Sequence, residues 1–206
     1  MIETVGRSST PDRLMDAAMK LFAQHGFNAT SVGAIEKEAG MAPRSGALYQ
    51  HFKGKQQLLE AAVDRELAAM DELAQAIAMF PLGDLRAEVT MLARWNLNSL
   101  ERRAELTRFV RREAHLLPKR LRTKLYDRLV ARPYAEIVAW LSARFQEAGI
   151  DPPDLDVLTL ILIESMGAYR ELNRVFGQVP AAIDDDRFIA AWVDTALAVA
   201  HRYGLN

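Results

Sequence analysis

Apolar residues recur at helical spacing along most of the chain, and this periodicity restricts the fold more than any other feature of the sequence. Between Leu14 and Phe22, for example, the apolar positions lie three or four residues apart and so share one face of a helix. Glycine and proline are scarce, with 11 and 8 among 206 residues, and they cluster where helices would end. The pattern predicts an all-α fold of about nine helices without strands.

Capping residues, glycines and prolines predict where individual helices begin and end. Thr10 followed by Pro11 is typical of a helix N-terminus, and Gly26 of its end. Asp84 and the acidic run 184–186 are expected to start two later helices. The other predicted helices cover residues 31–39, 45–52, 55–80, 84–103, 103–116, 119–148 with a kink or break at Pro133, and a segment after the loop 149–153.

Composition excludes several kinds of site. The chain has no cysteine, so disulfides, zinc ribbons, iron–sulfur clusters and thiol nucleophiles are excluded. Its four histidines show no metal-ligand spacing, and we expect neither a metal nor a cofactor. The N-terminus lacks the apolar core of a signal peptide, and the longest apolar stretch, residues 157–163, is too short to span a bilayer. We therefore expect a cytoplasmic protein with no membrane partner.

The first 55 residues contain three short predicted helices and a small excess of positive charge. Seven Lys and Arg side chains oppose five acidic ones there, although the formal net charge of the whole chain is −1. Three helices with a short glycine-containing connection match a helix-turn-helix unit, but the same spacing suits a structural cap or a peptide-binding module. We predict one domain over residues 1–55 and a second over residues 56–206.

Residue types at about a dozen positions in this region agree with a known signature. They are Arg13-Leu14, Ala17-Ala18, Leu21-Phe22, Gly26-Phe27, Thr30-Ser31, Ile35, Ala39-Gly40, Leu48-Tyr49, His51-Phe52, Lys55 and Leu58. In type and nearly in spacing, this segment resembles the N-terminal signature of the tetracycline-repressor-like (TetR) family. The resemblance covers about a quarter of the chain, and the remainder agrees only in length and helix count. The predicted core of this unit consists of Leu14, Ala18, Leu21, Phe22, Ile35, Leu48 and Phe52.

The resemblance implies that the first unit binds double-stranded operator DNA. Residues at the start of the second helix, where Thr30 or Ser31 is the cap, and residues near the end of the third helix and at the start of the next would contact backbone phosphates. Residues at the start of the third helix would meet base edges. The phosphate contacts implied are Thr30, Ser31, Tyr49, His51 and Lys55. The base-edge positions implied are Arg44, Ser45, Ala47 and Gln50, with Gly46 allowing close approach.

One spacing departs from the family pattern. The family usually has about four residues between its Ala-Gly pair and the glycine of the recognition helix, and here the segment 41–46 is about two residues longer. Pro43 has no backbone N–H and disfavours a helical conformation at Ala42. Either the turn is longer, or the recognition helix starts earlier with Pro43 at its first position.

A strongly basic band occupies residues 101–132. It contains eleven Lys and Arg residues against four acidic ones, so it is more basic than the first unit. Three interpretations are open: a solvated helical face, a site for an anionic effector head group such as that of an acyl-coenzyme A, or an additional phosphate-contacting surface.

The second domain is expected to bind a small-molecule effector and to form a homodimer. Residues 157–163 and 188–200 supply two wide apolar faces. The resemblance assigns such faces of the last two helices to a four-helix bundle between two subunits, and an intramolecular core is the alternative. Glu164, an acid within an apolar run, is expected to need a partner. The candidate effector contacts are Trp95, Asn96, Phe109, Tyr126, Tyr134, Trp140, Glu164, Met166 and Tyr169.

No catalytic motif accompanies these features. The sequence has no glycine-rich phosphate loop, nucleophile elbow or evident acid–base pair, so we do not expect an enzyme. The resemblance favours a ligand-responsive transcriptional regulator. The first hypothesis is a repressor that a small-molecule effector releases from a pseudo-palindromic operator. The alternative is a dimeric helical small-molecule-binding protein without DNA-binding activity, for which the longer turn is the motive.

Overall fold

All regular structure described for this chain is helical. The computed structural model describes residues 9–68, 75, 77, 79, 80 and 82–205. Its α-helices are α1 (Thr10–His25), α2 (Val32–Glu38), α3 (Lys55–Ala68), α4 (Leu85–Arg102), α5 (Ala104–Glu113), α6 (Lys119–Tyr126), α7 (Arg132–Glu147), α8 (Leu155–Phe176) and α9 (Asp185–Arg202). Short 3₁₀ turns lie at Leu48–Gln50 and Pro180–Ala182, and a π-helical segment lies at Asp127–Ala131.

The prediction of an all-α fold of about nine helices is confirmed for the described residues. Most of the predicted helix 55–80 beyond α3 lies outside those residues. Within the same part of the chain, no helix combines the length and the apolar character that crossing a bilayer requires.

Polar side chains cap the helices close to the expected positions. In each case a side-chain oxygen accepts the N–H of the third helical residue, at 3.1 Å for Ser31 before α2, 3.2 Å for Asp84 before α4 and 2.8 Å for Asp184 before α9. The cap of α1 is Ser9 and not the predicted Thr10, because Ser9 has the extended backbone that an N-cap requires. Local capping thus accounts for the start of these four helices.

Pro133 distorts the helical path from α6 to α7 without ending it. A proline has no N–H to donate, and in an α-helix its ring would clash with the carbonyl four residues earlier. The turn that precedes Pro133 along the chain, Asp127–Ala131, is widened into a π-helix. There the Arg132 N–H donates to the carbonyl of Asp127. The predicted kink or break therefore takes the form of a π-helical segment.

The described residues divide into two compact units. The first comprises residues 9–68 and 103–124, and the second comprises residues 82–102 and 125–205 with the described residues between 75 and 80. The domain boundary expected after residue 55 falls inside the first unit, because α3 and α5 both pack against α1. The first unit is therefore larger than a three-helix DNA-binding segment.

Phe22 lies at the centre of the first unit. Its side chain is fully buried, and its ring centroid is 5.2 Å from that of Phe27 and 6.2 Å from that of Phe109. Burial of one such side chain contributes about 1.5–3 kcal/mol to stability. The predicted core positions are confirmed as buried: Leu14, Ala18, Leu21, Phe22, Ile35, Leu48 and Phe52.

The second unit has a separate core built from α4, α7, α8 and α9. Hydrogen bonding and ring stacking join α8 to α9 there. Trp192 Nε1 donates to the carbonyl of Leu162 at 3.0 Å, and Tyr169 stacks on Phe188 with a centroid separation of 4.1 Å. These contacts hold the two last helices together as an antiparallel pair.

Gly26 ends α1 in a backbone conformation that is essentially restricted to glycine. Its φ is +87° and its ψ is 159°. A Cβ atom added there would lie 2.5 Å from Oε1 of Glu113, the last residue of α5, whose side chain is buried. A side chain at this position would therefore strain the backbone and displace the buried Glu113 carboxylate.

We expect Gly26→Ala to lower the free energy of unfolding by about 2–4 kcal/mol, because it adds both backbone strain and a steric clash. Gly177→Ala is the matched control. Gly177 also ends a helix, with a φ of +67°, but a Cβ there meets no described atom within 4 Å, so a loss of about 1 kcal/mol is expected. Urea unfolding followed by circular dichroism measures both variants, and equal losses would contradict the steric contribution of Glu113.

Candidate nucleic-acid interface and ligand cavity

The segment between α2 and α3 is a long loop that ends in a single 3₁₀ turn. Arg44 and Gly46 have φ values of +61° and +75°, and left-handed residues interrupt a right-handed helix. The predicted recognition helix over 45–52 is therefore wrong in extent, since only Leu48–Gln50 is helical. Of the two alternatives for this segment, the longer turn is the one observed, and Pro43 does not start a helix.

A buried carboxylate anchors this turn. Glu36 of α2 is fully buried, and its Oε1 accepts the N–H of Leu48, the first residue of the 3₁₀ turn, at 3.3 Å. Its Oε2 has no hydrogen-bond partner among the described residues. A buried polar group is costly unless it is hydrogen-bonded, and the bond to Leu48 offsets part of the cost of burying this side chain.

Glu36 is not among the residues that the sequence pattern selects as functional. A signal for its burial exists, because position 36 lies four residues after Val32 and three before Ala39, on the apolar face of α2. An acid on such a face points to a specific hydrogen-bond donor nearby.

Three side chains within and directly after the anchored turn face solvent. Tyr49 is 62% exposed, and Gln50 and His51 are exposed as well. The structure therefore brings three of the predicted DNA contacts together on one short surface segment. Their hydrogen-bonding groups are accessible to another molecule.

The loop before the turn presents the other predicted base-edge positions. Arg44 and Ser45 are exposed, and Ser45 Oγ accepts the N–H of Ala47 at 3.3 Å, which stiffens the approach to the turn. A Cβ atom added to Gly46 would meet no described atom within 4 Å, so another molecule has room to approach the backbone there.

Two of the predicted phosphate contacts are committed to hydrogen bonds within the unit. Thr30 is 2% exposed, and its hydroxyl donates to the carbonyl of Gly26 at 2.8 Å. Lys55 Nζ donates to the carbonyls of Phe27 at 2.6 Å and Thr30 at 2.8 Å, and it lies 4.4 Å from the centroid of the Phe27 ring. Partial burial lowers the pKa of the Lys55 ammonium below its ordinary value. Both side chains hold the connection between α1 and α2, and one N–H of Lys55 is left for a ligand.

Known proteins share this N-terminal segment. Residues 14–62 match the family model described as bacterial regulatory proteins, tetR family. Residues 14–62 therefore resemble the N-terminal segment of tetR-family regulators. Over 49 residues the chain is 45% identical to the HTH-type transcriptional regulator AcrR of Shigella flexneri. This matched segment makes up 24% of this chain and 22% of that protein. Over 58 residues it is 40% identical to the HTH-type transcriptional repressor KstR2 of Rhodococcus jostii, which covers 28% of each. The chain thus spans less than a third of the length of these curated relatives.

Likeness to solved structures extends over nearly the whole chain at lower identity. A bacterial regulatory protein in the tetR family from Rhodococcus RHA1 matches 97% of this chain and 100% of its own length, with a TM-score of 0.63 and 23% identity. The chain therefore shares the helical fold of that protein.

The second unit of this tetR-family fold contains an apolar cavity with a volume of about 90 Å³. Four of the predicted effector contacts line it, namely Trp95, Asn96, Trp140 and Met166. The Asn96 amide donates to Met166 Sδ at 3.3 Å. None of the described lining residues comes from the basic band 101–132, and none is charged.

Three other predicted effector contacts do not line this cavity. Phe109 belongs to the core of the first unit, and Tyr126 is 63% exposed. Glu164 is exposed, so solvent stabilises its carboxylate and the expected partner is not required. The position of Glu164 within an apolar run did not reveal whether its side chain lies on a buried or a solvent-exposed face of α8.

Tyr134 and Tyr169 do not line the cavity either, and their hydroxyls make hydrogen bonds elsewhere in the unit. The Tyr134 hydroxyl donates to the carbonyl of Asp156 at 2.6 Å. The Tyr169 hydroxyl donates to Asp185 Oδ1 at 2.9 Å, and burial together with this bond raises the pKa of Tyr169 to about 12. Both tyrosines are structural contacts of α8 and its neighbours.

Several side chains of the basic band make surface ion pairs. Arg108 lies 2.9 Å from Glu105 in α5, and Lys124 pairs with Asp64 of α3. Exposed pairs of this kind contribute little to stability but reduce the free positive charge. The interpretation supported by these contacts is a solvated helical face. No group of His, Asp and Glu side chains in the described part of the chain could hold a metal ion.

We expect Glu36→Ala to loosen the 3₁₀ turn and Glu36→Gln to preserve it. Alanine removes the acceptor of the buried Leu48 N–H, which costs about 1–3 kcal/mol, whereas the glutamine amide oxygen retains the bond. Hydrogen exchange of the Leu48 amide, followed by NMR, is expected to be about tenfold faster in Glu36→Ala and close to that of the original protein in Glu36→Gln. Identical exchange in all three proteins would show that Glu36 does not anchor the turn.

Proposed function

We propose that the chain is a cytoplasmic, ligand-responsive transcriptional regulator that binds double-stranded operator DNA as a homodimer. The first unit contacts the DNA, α8 and α9 join two copies, and a small molecule bound in the second unit lowers the affinity for the operator, as in a repressor. The observation that carries this proposal is the exposed run 49–51 on an anchored turn, within the segment 14–62 that matches the tetR family.

Residues 49–51 offer the kinds of contact that sequence-specific DNA binding requires. A Tyr hydroxyl and a His ring N–H donate to phosphate oxygens and so fix the register of the protein on the duplex. A Gln amide pairs with the adenine edge in the major groove, and the exposed Arg44 in the preceding loop suits guanine. Thr30 and Lys55 act mainly as positioning residues, because their polar groups bond to the backbone at the end of α1.

An exposed apolar face on α8 supports the homodimer. Val157, Ile161 and Leu172 share one helical face, and they are 51%, 60% and 40% exposed in the single chain. The neighbouring α9 exposes the small residues Ala191 and Ala198, which permit close helix approach. Several large apolar side chains exposed on one helix face are typical of a protein interface. A two-fold dimer would present two reading segments about 34–36 Å apart, one helical turn of DNA.

Ligand binding and operator binding are thermodynamically linked, and this linkage accounts for release of the operator. A ligand that binds more tightly to a form with mis-spaced reading segments lowers operator affinity by the ratio of its affinities for the two forms. The apolar cavity is the candidate site for that ligand. A dimeric ligand-binding protein without DNA-binding activity is not favoured, because the longer turn that motivates this alternative leaves residues 49–51 exposed and anchored.

We expect Tyr49→Ala to weaken operator binding at least about tenfold, because each subunit of a dimer loses a backbone contact. The operator is first selected from genomic fragments with the unaltered protein, and fluorescence anisotropy at fixed ionic strength then gives the Kd of each variant.

The matched control for this measurement is Tyr126→Ala. Tyr126 is 63% exposed, against 62% for Tyr49, but it lies in the second unit, so its removal is expected to leave the Kd unchanged. Failure of the unaltered protein to retain any genomic fragment would reject the proposed function. Equal Kd values for both variants would reject the assigned interface.

We expect Ile161→Glu to convert the homodimer into a monomer, because the substitution buries an unpaired charge at the centre of the proposed interface. Leu116→Glu is the matched control, since Leu116 and Ile161 are both 60% exposed but Leu116 belongs to the first unit. Sedimentation equilibrium measures the mass of each protein. A monomeric unaltered protein, or a dimeric Ile161→Glu variant, would contradict the assignment of α8 to the interface.

A further inference from the structure

Three positively charged side chains near the start of α6 are exposed and unpaired. Lys119, Arg120 and Arg122 make no ion pair or side-chain hydrogen bond with a described residue, whereas Lys124 on the same helix pairs with Asp64. Like charges one helical turn apart repel each other, and the helix dipole adds positive potential at this end of α6. The ion pairs of the basic band therefore leave one concentrated group of free cations, which we call the α6 cations.

Contacts between α1 and α3 show which end of the first unit carries the proposed DNA contacts. Arg65, late in α3, donates through Nη1 to the carbonyl of Asp12 in the first turn of α1 at 3.3 Å. Lys55, at the start of α3, donates to the carbonyl of Phe27 just beyond the end of α1. The two helices are therefore antiparallel, and the end of α1 lies beside the start of α3. Residues 49–51 closely precede that start, so we call this end of the unit the reading end.

The helix α5 also ends at the reading end, and α6 begins a few residues later. Arg112 Nη1 donates to the carbonyl of Gln24, near the end of α1, at 2.8 Å. The N–H of Leu117 then bonds to the carbonyl of Glu113 at 3.1 Å, so the chain turns back tightly after α5. Lys119 follows two residues later, and two residues span at most about 7 Å. The start of α6 is therefore held close to the reading end of the same compact unit.

The packing of α6 leaves its cations open to a large partner. Leu117 and Leu121 are buried and lie four residues apart, so they hold one side of the helix against the protein. Lys119 and Arg122, three residues apart, share a side that is exposed. Neither they nor Arg120 line the apolar cavity of the second unit. Small ligands bind in concave sites that enclose most of their surface, whereas a polyanion such as DNA binds to an open row of cations.

We propose that Lys119, Arg120 and Arg122 bind phosphates of the operator backbone next to those contacted by residues 49–51. The inference rests on the proposed function, because it enlarges the DNA interface of the first unit beyond the segment 14–62. Contacts to phosphates carry no sequence information. They add affinity that depends on salt and help to fix the position of the protein on the duplex.

The salt dependence of operator binding tests this inference. The variant is Lys119→Gln combined with Arg122→Gln, and fluorescence anisotropy over a series of salt concentrations gives its affinity. A dimer loses four phosphate contacts, so the slope of log affinity against log salt is expected to become less steep by about 3–4. We expect the Kd to rise about tenfold or more at low salt, and by the same factor for operator and for unrelated duplex DNA.

A matched control separates the position of these charges from their number. Arg86→Gln combined with Arg94→Gln also removes two exposed positive charges from one helix, but that helix belongs to the second unit. This control is expected to change the slope by less than about 1. Lys119→Arg combined with Arg122→Lys keeps both charges of α6 and is expected to keep the original slope. If the double Gln variant does not fold, Arg120→Gln provides the measurement, with a slope less steep by about 2.

The outcomes distinguish this inference from the proposed function. Operator binding with the same slope and Kd for the original protein and the double Gln variant overturns the α6 contact and leaves the regulatory function intact. Equal losses in the variant and its control, or a loss with operator but not with unrelated DNA, also overturn the α6 contact. Binding of coenzyme A that the double Gln variant loses, with unchanged operator binding, assigns the α6 cations to an anionic ligand and overturns it as well. Failure of the original protein to retain any genomic fragment overturns the proposed function and this inference with it.

Discussion

Burial of the apolar face of α1 sets the geometry of the first unit. Leu14, Ala18 and Phe22 are fully buried, and α2, α3 and α5 all pack against this one helix. The exposed run 49–51 lies between α2 and α3, so its position follows from the packing of both helices on α1. Lys55 and Thr30 add hydrogen bonds to the backbone beyond the end of α1. The proposed DNA contacts therefore depend on a core that contains none of them.

Side-chain periodicity predicted the helices well and the proposed reading segment poorly, for one physical reason. The helices depend on apolar side chains at regular spacing, and these can be read directly, as the buried positions from Leu58 to Leu67 in α3 illustrate. The loop before the 3₁₀ turn depends on backbone angles. Arg44 has a φ of +61°, and nothing in an arginine side chain indicates a left-handed conformation. A helix over 45–52 was the natural prediction without that information.

The burial of polar residues is the second property that the sequence did not reveal. Glu36 and Glu164 are both acids beside apolar residues on a helix, yet Glu36 is fully buried and bonded to Leu48, whereas Glu164 is exposed. One position along a helix rotates a side chain by about 100°, so the same local pattern can face a core or solvent depending on how the helix packs. For this reason Trp95 and Trp140 line the cavity, while the equally aromatic Tyr134 bonds to Asp156.

The near-neutral charge of the chain determines how the proposed regulator can reach useful affinity. The formal net charge is −1, and several cations of the first unit are already paired, as Lys20 is with Glu38 at 2.5 Å and Lys124 is with Asp64. Pairing lowers the number of cations that can neutralise phosphates and release counter-ions, so electrostatic attraction to DNA is weaker than the count of Lys and Arg alone would give. In the proposed homodimer, specific contacts made twice, once by each subunit, add to this attraction, because linked contacts multiply their binding constants. A ligand that prevents the two subunits from binding at the same time removes most of that affinity, and release requires no change in the charge of the protein.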